Sequence, residues 1–307
     1  MLSKAVIRPS GACVEAMANA GTFFGARGAP NPRRVEIFMA EHGLFEGRGY
    51  EFVNVDMGKG EHKRNGKYPT PNQKLPMFVL PDGTQIGESV AICRYIEEAA
   101  VGPDVSKRLF GTDPVERAIV EMWQRRVELE LLSGAVGKAW IHGPELKSLR
   151  EFRGIEGHDS ELQLGLGGAQ ALHREFDREL ATRPYLAGDT FSIADITLLC
   201  VVDFVSTRTA PLSLFDAMQN SVTESCLGCT TSLQGAGPVH VPTRWTELPH
   251  LTAWHRRCSA RTSVLAHPNP HIKPLGGNDV VAAQERYYQR EYRDNGVWRP
   301  RDSSSKL

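Results

Sequence analysis

Residues 25 to 38 read "GARGAPNPRRVEIF". Small residues and two prolines fall where the chain must turn, and two arginines open the helix-like run that follows. That layout suits a binding site at a helix N-terminus. The stretch holds no Ser, Thr, Tyr, Cys or His, so the usual nucleophiles and proton carriers are missing from it. Cys226 and Cys229 form the one C-x-x-C pair, in a Ser/Thr/Gly-rich stretch. A redox pair opens a helix after a strand, where the helix terminus lowers a thiol pKa, and that context is absent. One pair is also too few ligands for structural zinc, so the two read as loop cysteines and no metal site is expected. Ser192-Ile193-Ala194-Asp195 has the S-x-x-D spacing of reciprocal capping on a buried helix, a structural role outside any active site.

The elements that must position this turn alternate over residues 21 to 100. "TFFGA" is a short apolar strand, and Arg33 to His42 reads as a helix with Gly43 as its stop. "YEFVNVDM" is a strand, "MFVLPDGTQI" is a hairpin with an Asp82-Gly83 turn, and "ESVAICRYIEEAA" is an amphipathic helix. The order predicts a small α/β domain with a mixed sheet. After Gly102-Pro103 the character changes. From Pro114, Ile119, Trp123, Val127 and Leu131 mark one helix face, and further helical patterns cover roughly 160 to 182, 192 to 206 and 247 to 261. The second domain is therefore predicted to be all-helical, interrupted by a long Ser/Thr/Gly/Pro-rich insertion at 207 to 244.

With 307 residues the chain has room for two domains, each with a real core. Basic and acidic residues balance at 36 each, so the overall field does not point to nucleic acid or an anionic membrane. No apolar run approaches bilayer-spanning length. Residues 1–20 read as an N-terminal extension, 21–102 and 112–268 as the two domains, and 269–307 as a C-terminal tail. That tail ends in Ser305-Lys306-Leu307, the receptor-read peroxisomal address, which predicts a peroxisomal location, with cytoplasmic as the alternative.

A small α/β domain followed by an all-helical one resembles the cytosolic glutathione transferase family. "APNPRRVEIFMAEHG" resembles its first turn and helix, and "KGEHKRNGKYPTPNQKLPMFVLPDGTQIGESVAICRYIE" its glutathione-binding half. "RPYLAGDTFSIADITLL" resembles the buried helix of its second domain, and "LPHLTAWHRRCSARTSVLAH" its closing helix. These motifs span roughly 21 to 268. The wording of "APNPRRV" and "KGEHK" is similar to the fungal and bacterial branch related to the second yeast-type transferases. The resemblance implies a thioredoxin-like first domain and an all-α bundle as the second.

It also implies a site. Leu75-Pro76 would be a cis-proline turn that offers the backbone of Leu75 to the cysteinyl part of glutathione, as an added strand would. Ser89, with the helix N-terminus behind it, would take the γ-glutamyl carboxylate, and Glu88 the ammonium. His62 and Lys63 would meet the glycyl carboxylate, with Lys74 assisting. Arg33 and Arg34 would hold the turn or line the domain interface.

The chemistry implied is activation of a thiol whose free pKa is roughly 8.5. The family's Ser or Cys would fall at Ala29, which has nothing to donate. Three substitutes stand open: the free N–H groups and dipole of the first helix, the Asn31 side-chain amide, or a water held from the second domain. A water-assisted route belongs to the resembled branch. His142 is the first candidate to hold such a water, with Ser133 behind it.

The function expected is a glutathione S-transferase joining glutathione, its co-substrate, to a small hydrophobic electrophile without a further cofactor. Glutathione-dependent peroxidase, isomerase or dehalogenase chemistry on the same fold, or a non-catalytic glutathione-binding module, are the alternatives. A homodimer and the peroxisomal import receptor are the expected partners.

Overall fold

Pro30 and Pro32 begin a helix rather than interrupt one. Both fall in the first turn of α1 (Pro30–Glu41), where a missing N–H costs nothing, so the helix starts three residues earlier than Arg33. Gly43, at φ 76°, ends it. The computed structural model describes residues 19–268 apart from 28, 58, 102–104, 144–149, 152–153 and 206–246.

α1 follows β1 (Asn19–Gly25) and leads through a two-residue strand, β2 (Phe45–Glu46), into β3 (Gly49–Asn54). β4 (Met77–Val79) and β5 (Gln85–Gly87) form the hairpin, and α2 (Ser89–Val101) closes the domain. The sheet order is β2-β3-β1-β4-β5, with β1 parallel to β3 and antiparallel to β4. This is the mixed sheet of a thioredoxin-like domain. Phe23 and Phe78 from the sheet meet Ile37 and Phe38 of α1 and Ile92 and Ile96 of α2, all fully buried.

The second domain opens at α3 (Pro114–Arg125), where the Asp113 carboxylate accepts from the N–H groups of Val115 and Glu116, a cap worth about 1 kcal/mol. The helix runs on without a break into a π-wound segment, Arg126–Val136, and then α4 (Gly137–His142). Trp123, Val127 and Leu131 are buried as the pattern predicts, but Ile119 is 36 % exposed and Val120 takes its place. An α-helix turns about 100° per residue, so Ile119 lies about 40° from Trp123, on the side away from buried Val120 and Gln124. α5 (Asp159–Leu180) crosses this helix so closely that a Cβ at Gly165 would lie 2.6 Å from the Ala139 nitrogen. α6 (Ile193–Val205) is buried all round except at Phe204, the signature of a central helix. α7 (Pro249–Ser259) and α8 (Thr262–Ala266) close the bundle.

Asp195 gives the S-x-x-D motif a larger role than capping. Its carboxylate accepts from Ser192 N–H at 3.0 Å, the return half of a capping box, but the Ser192 hydroxyl donates to the same carboxylate. Leu186 N–H and the Trp254 indole N–H, each at 2.8 Å, complete the set. Burial pushes this carboxyl's pKa up, against those four donors.

The two domains are joined by buried ion pairs. Arg33 reaches Asp203 of α6 at 2.6 Å, and Asp203 also contacts His255 of α7 at 2.7 Å. Arg34 reaches Glu128 of the π segment at 2.8 Å. Arg261 grips Glu41 through two nitrogens, at 2.8 and 2.7 Å. The linker is pinned from both sides. Glu97 of α2 accepts from the N–H groups of Leu109 and Phe110, and the Leu109 carbonyl accepts from Ile193 N–H. The Cys226–Cys229 pair, nearly all of the N-terminal extension, the 207 to 244 insertion and Ser305-Lys306-Leu307 lie outside the described residues.

Candidate functional site

A cleft of about 430 Å³ opens between the domains. The first domain lines it with Asn31, Asn72, Lys74, Leu75, Pro76, Glu88, Ser89 and Val90, and the π segment with Glu128, Leu129, Leu132 and Ser133. Six of the nine residues singled out from the sequence therefore share one space.

Each is placed by a local feature. The Leu75-Pro76 bond is cis. Gln73 and Glu88, at φ 57° and 62°, are the non-glycine residues with positive φ among the described residues, and they flank the cis bond and Ser89. A left-handed conformation costs a non-glycine residue on the order of 1 kcal/mol or more, and such strain concentrates at binding sites. Asn72 braces this rim: its Oδ1 accepts from Lys74 N–H at 3.1 Å, and its Nδ2 donates to Glu88 Oε1 at 3.1 Å. Ser89 is the first residue of α2 and is 4 % exposed. Its N–H and that of Val90 have no intrahelical partner, so they and the helix dipole face the cleft as an anion site. Arg34 Nη1 donates to Ser89 Oγ at 2.9 Å. With that lone pair occupied, the hydroxyl proton is free to point at a ligand.

The start of α1 offers fewer donors than a helix N-terminus normally does. Pro30 and Pro32 have no N–H, Ala29 N–H goes to the Ala26 carbonyl, and Arg33 N–H goes to the Ala29 carbonyl. Among the described residues of this turn, Asn31 therefore carries the one backbone donor without a partner, together with its side-chain amide. Ala29, the N-cap, makes no side-chain bond. The route through several free N–H groups thus reduces to Asn31.

Three expected residues lie outside the cleft lining. His62 is 4 % exposed, and burial together with Lys63 lowers its pKa, so near neutrality it is no cation. Lys63 is exposed on the same loop. His142 is half-buried, and its Nδ1 accepts from His158 N–H at 3.2 Å, tying α4 to the start of α5. From the second domain it is Ser133, exposed on the π segment, that lines the cleft.

Both arginines of the opening stretch turn inward, Arg34 with no exposure and Arg33 with 4 %. Burial opposes the Arg33 charge, but Asp203 outweighs it and raises the pKa. Asp203 responds in kind: burial raises its carboxyl, while Arg33 and then His255 bring it below the usual range.

Glu128 and Asn72 are the polar lining residues that sequence reasoning missed. In sequence Glu128 is one of several charged residues on a long helix, like Glu121 and Glu130. Its place at the cleft, on the π-wound segment beside buried Arg34, separates it from them. A Cβ at Gly134 would lie 2.9 Å from the Leu129 carbonyl oxygen, so this winding relies on a glycine. The cysteines offer no nucleophile among the described residues. Cys93, Cys200 and Cys258 are buried, and burial raises each thiol, that of Cys200 to about 11.

Residues 23–104 match the family model described as the glutathione S-transferase N-terminal domain, and residues 161–257 match the glutathione S-transferase C-terminal domain. Glutathione S-transferase 2 of Saccharomyces cerevisiae is 33 % identical over 186 residues, which cover 58 % of this chain and 72 % of that protein. The solved structure of Gtt2 from Saccharomyces cerevisiae superposes with a TM-score of 0.58 at 28 % identity, over 79 % of this chain and 98 % of that one. Elongation factor 1-gamma of Schizosaccharomyces pombe is 28 % identical over 187 residues, covering 61 % of this chain and 41 % of that protein.

Proposed function

The chain belongs to the glutathione S-transferase family, and from that premise we propose that it binds glutathione in the interdomain cleft and joins it to a small apolar electrophile. The observation that carries this reading is the meeting of cis Leu75-Pro76, Ser89 and Asn31 in one space. Leu75 offers its backbone to the cysteinyl unit. Ser89 and the start of α2 take the γ-glutamyl carboxylate, and Lys74 approaches the glycyl end.

Glutathione held this way has its sulfur at the turn before α1. Asn31 N–H and the Asn31 amide stabilise the thiolate there, aided by the dipole of α1. The thiol proton leaves to a water held by Ser133, which faces the cleft where His142 does not. The thiolate then attacks the electrophile, forming the C–S bond as the leaving group departs or the adduct takes up a proton. Most of the acceleration comes from positioning and from the lowered thiol pKa. Retention on immobilised glutathione, followed by turnover of a panel of chloronitrobenzenes and enals, tests the reading. A chain that is not retained sinks it.

A binding module without turnover is the second reading. Ala29 favours it, as does a relative named for translation elongation rather than for transfer. Retention without turnover decides for it.

We also propose a homodimer. Val115 and Met122, seven residues apart on one stripe of α3, are 68 % and 48 % exposed. Twice the chain mass in light scattering is expected. The proposed location is the peroxisome, through Ser305-Lys306-Leu307 and its import receptor. Deleting Leu307 should disperse a fluorescent fusion into the cytosol.

A further inference from the structure

Resting on the glutathione reading, we propose that Gly134 is a positioning residue for the reaction: it admits the π winding that turns Ser133 toward the bound thiol and keeps the core face of the same helix out of the cleft. The winding is visible in the backbone itself. Gly137 N–H donates to the Leu132 carbonyl, five residues back where an α-helix uses four. Glu128, Leu129, Leu132 and Ser133 line the cleft, while Val127, Leu131, Ala135 and Val136 are buried.

Only one of the two windings keeps these sets apart. At roughly 4.4 residues per turn each residue advances about 82°, so the four buried residues fall within an arc of about 80°. The four cleft residues then occupy a separate arc of about 115° beside it. At about 100° per residue, the α value, the sets overlap, and Val136 would lie between Leu132 and Leu129 on the cleft face. Ser133 would swing by about 110° relative to Val127. The exposure along the segment follows the π arrangement, with Leu129, Glu130 and Ser133 exposed on the side away from the core.

Gly134 is a position at which this winding excludes a side chain. A Cβ there would stand 2.9 Å from the Leu129 carbonyl oxygen, the acceptor five residues back, and backbone cannot swing aside as a flexible side chain would. At Gly137 the corresponding distance to the Leu132 oxygen is 3.3 Å, tight but relieved by a small shift. An α-helix imposes no such limit, and there alanine is favoured over glycine. Gly134→Ala therefore opposes the π winding and favours the α one, which carries Ser133 away from the thiol and Val136 toward the cleft.

The test compares melting temperature, retention on immobilised glutathione and turnover for wild type, Ser133→Ala, Gly134→Ala, the double variant and Gly167→Ala. Gly167 is an exposed glycine of α5 with open space where a Cβ would go, so Gly167→Ala should raise the melting temperature and leave kcat unchanged. Gly134→Ala should not gain that stability. It should still be retained on glutathione yet lose kcat on the order of tenfold, as Ser133→Ala does, and the double variant should be no slower than Ser133→Ala alone. Gly137→Ala should show the same losses in smaller measure, and it carries the test if Gly134→Ala does not fold. The assignment is overturned if Gly134→Ala melts and turns over as Gly167→Ala does, or if the two losses multiply in the double variant. Ser133→Ala turning over at the wild-type rate also overturns it, leaving the glutathione reading standing. A wild type that is not retained overturns both.

Discussion

Arg33 Nη1 lies 2.6 Å from Asp203 Oδ2, and both side chains are 4 % exposed. The residue that follows the proline turn of the first domain is thus fixed to the central helix of the second. Removing the negative charge would leave a buried guanidinium unpaired, at a cost of about 3–5 kcal/mol. Asp203→Asn should therefore lower the unfolding free energy from urea titration by that much, and Arg33→Met combined with Asp203→Leu should lose less than Asp203→Asn alone.

In the proposed complex Ser89 donates to glutathione while accepting from Arg34. A hydrogen bond to a charged group contributes about 1.5–3 kcal/mol, so Ser89→Ala should weaken glutathione binding by roughly 10- to 100-fold. Helix content by circular dichroism should stay at the wild-type value. Unchanged affinity would remove Ser89 from the site.

Asn31→Ala removes the amide but keeps the backbone N–H. The thiol of bound glutathione, followed by thiolate absorbance against pH, should titrate higher than in wild type. At pH 6.5 kcat should fall about tenfold, a loss of about 1.4 kcal/mol, with KM for glutathione nearly unchanged. Ser133→Ala is expected to slow proton departure without that upward shift.

His42 and His173 give the protein a stability slope in mildly acidic solution. Burial lowers each imidazole to about 4, against 6.5 in the unfolded chain. A folded pKa that is depressed means the unfolded state takes up protons first as the pH falls. The contribution is fully present above about pH 6.5 and is lost progressively down to about pH 4, on the order of 3 kcal/mol for each. Urea midpoints should drop across that window, and His42→Gln should flatten part of the slope. A flat wild-type profile between pH 6.5 and 4 would refute the assignment.

Much of this molecule was legible because its signals are local. The Asp82-Gly83 hairpin, the stop at Gly43, the prolines at the start of α1 and the apolar run of α6 each follow from short-range sterics or periodicity. The cleft residues Leu75, Pro76, Glu88 and Ser89 were legible as motif. What escaped were features set by winding and by long-range partners. The apolar spacing predicts Ile119 inside, yet the buried stripe runs through Val120, Trp123 and Gln124, because a four-residue step moves about 40° around an α-helix. Glu128 reads as an ordinary surface charge because its buried partner, Arg34, is 94 residues away. His142 looked available at a helix end, but its ring is used to fasten the start of α5, a partner 16 residues away.

The linker pinned by Glu97 and Ile193, together with the arginine pairs on either side, bears on how the protein comes apart. Separating the described halves would strand Arg33, Arg34 and Asp203 together and release the Leu109 and Phe110 amides, so a state with one half folded and the other open carries nearly the whole penalty of breaking the interface. Such a state is too costly to accumulate. Despite two recognisable domains, the calorimetric and van't Hoff enthalpies of melting should agree, as they do when a molecule has a single cooperative unit.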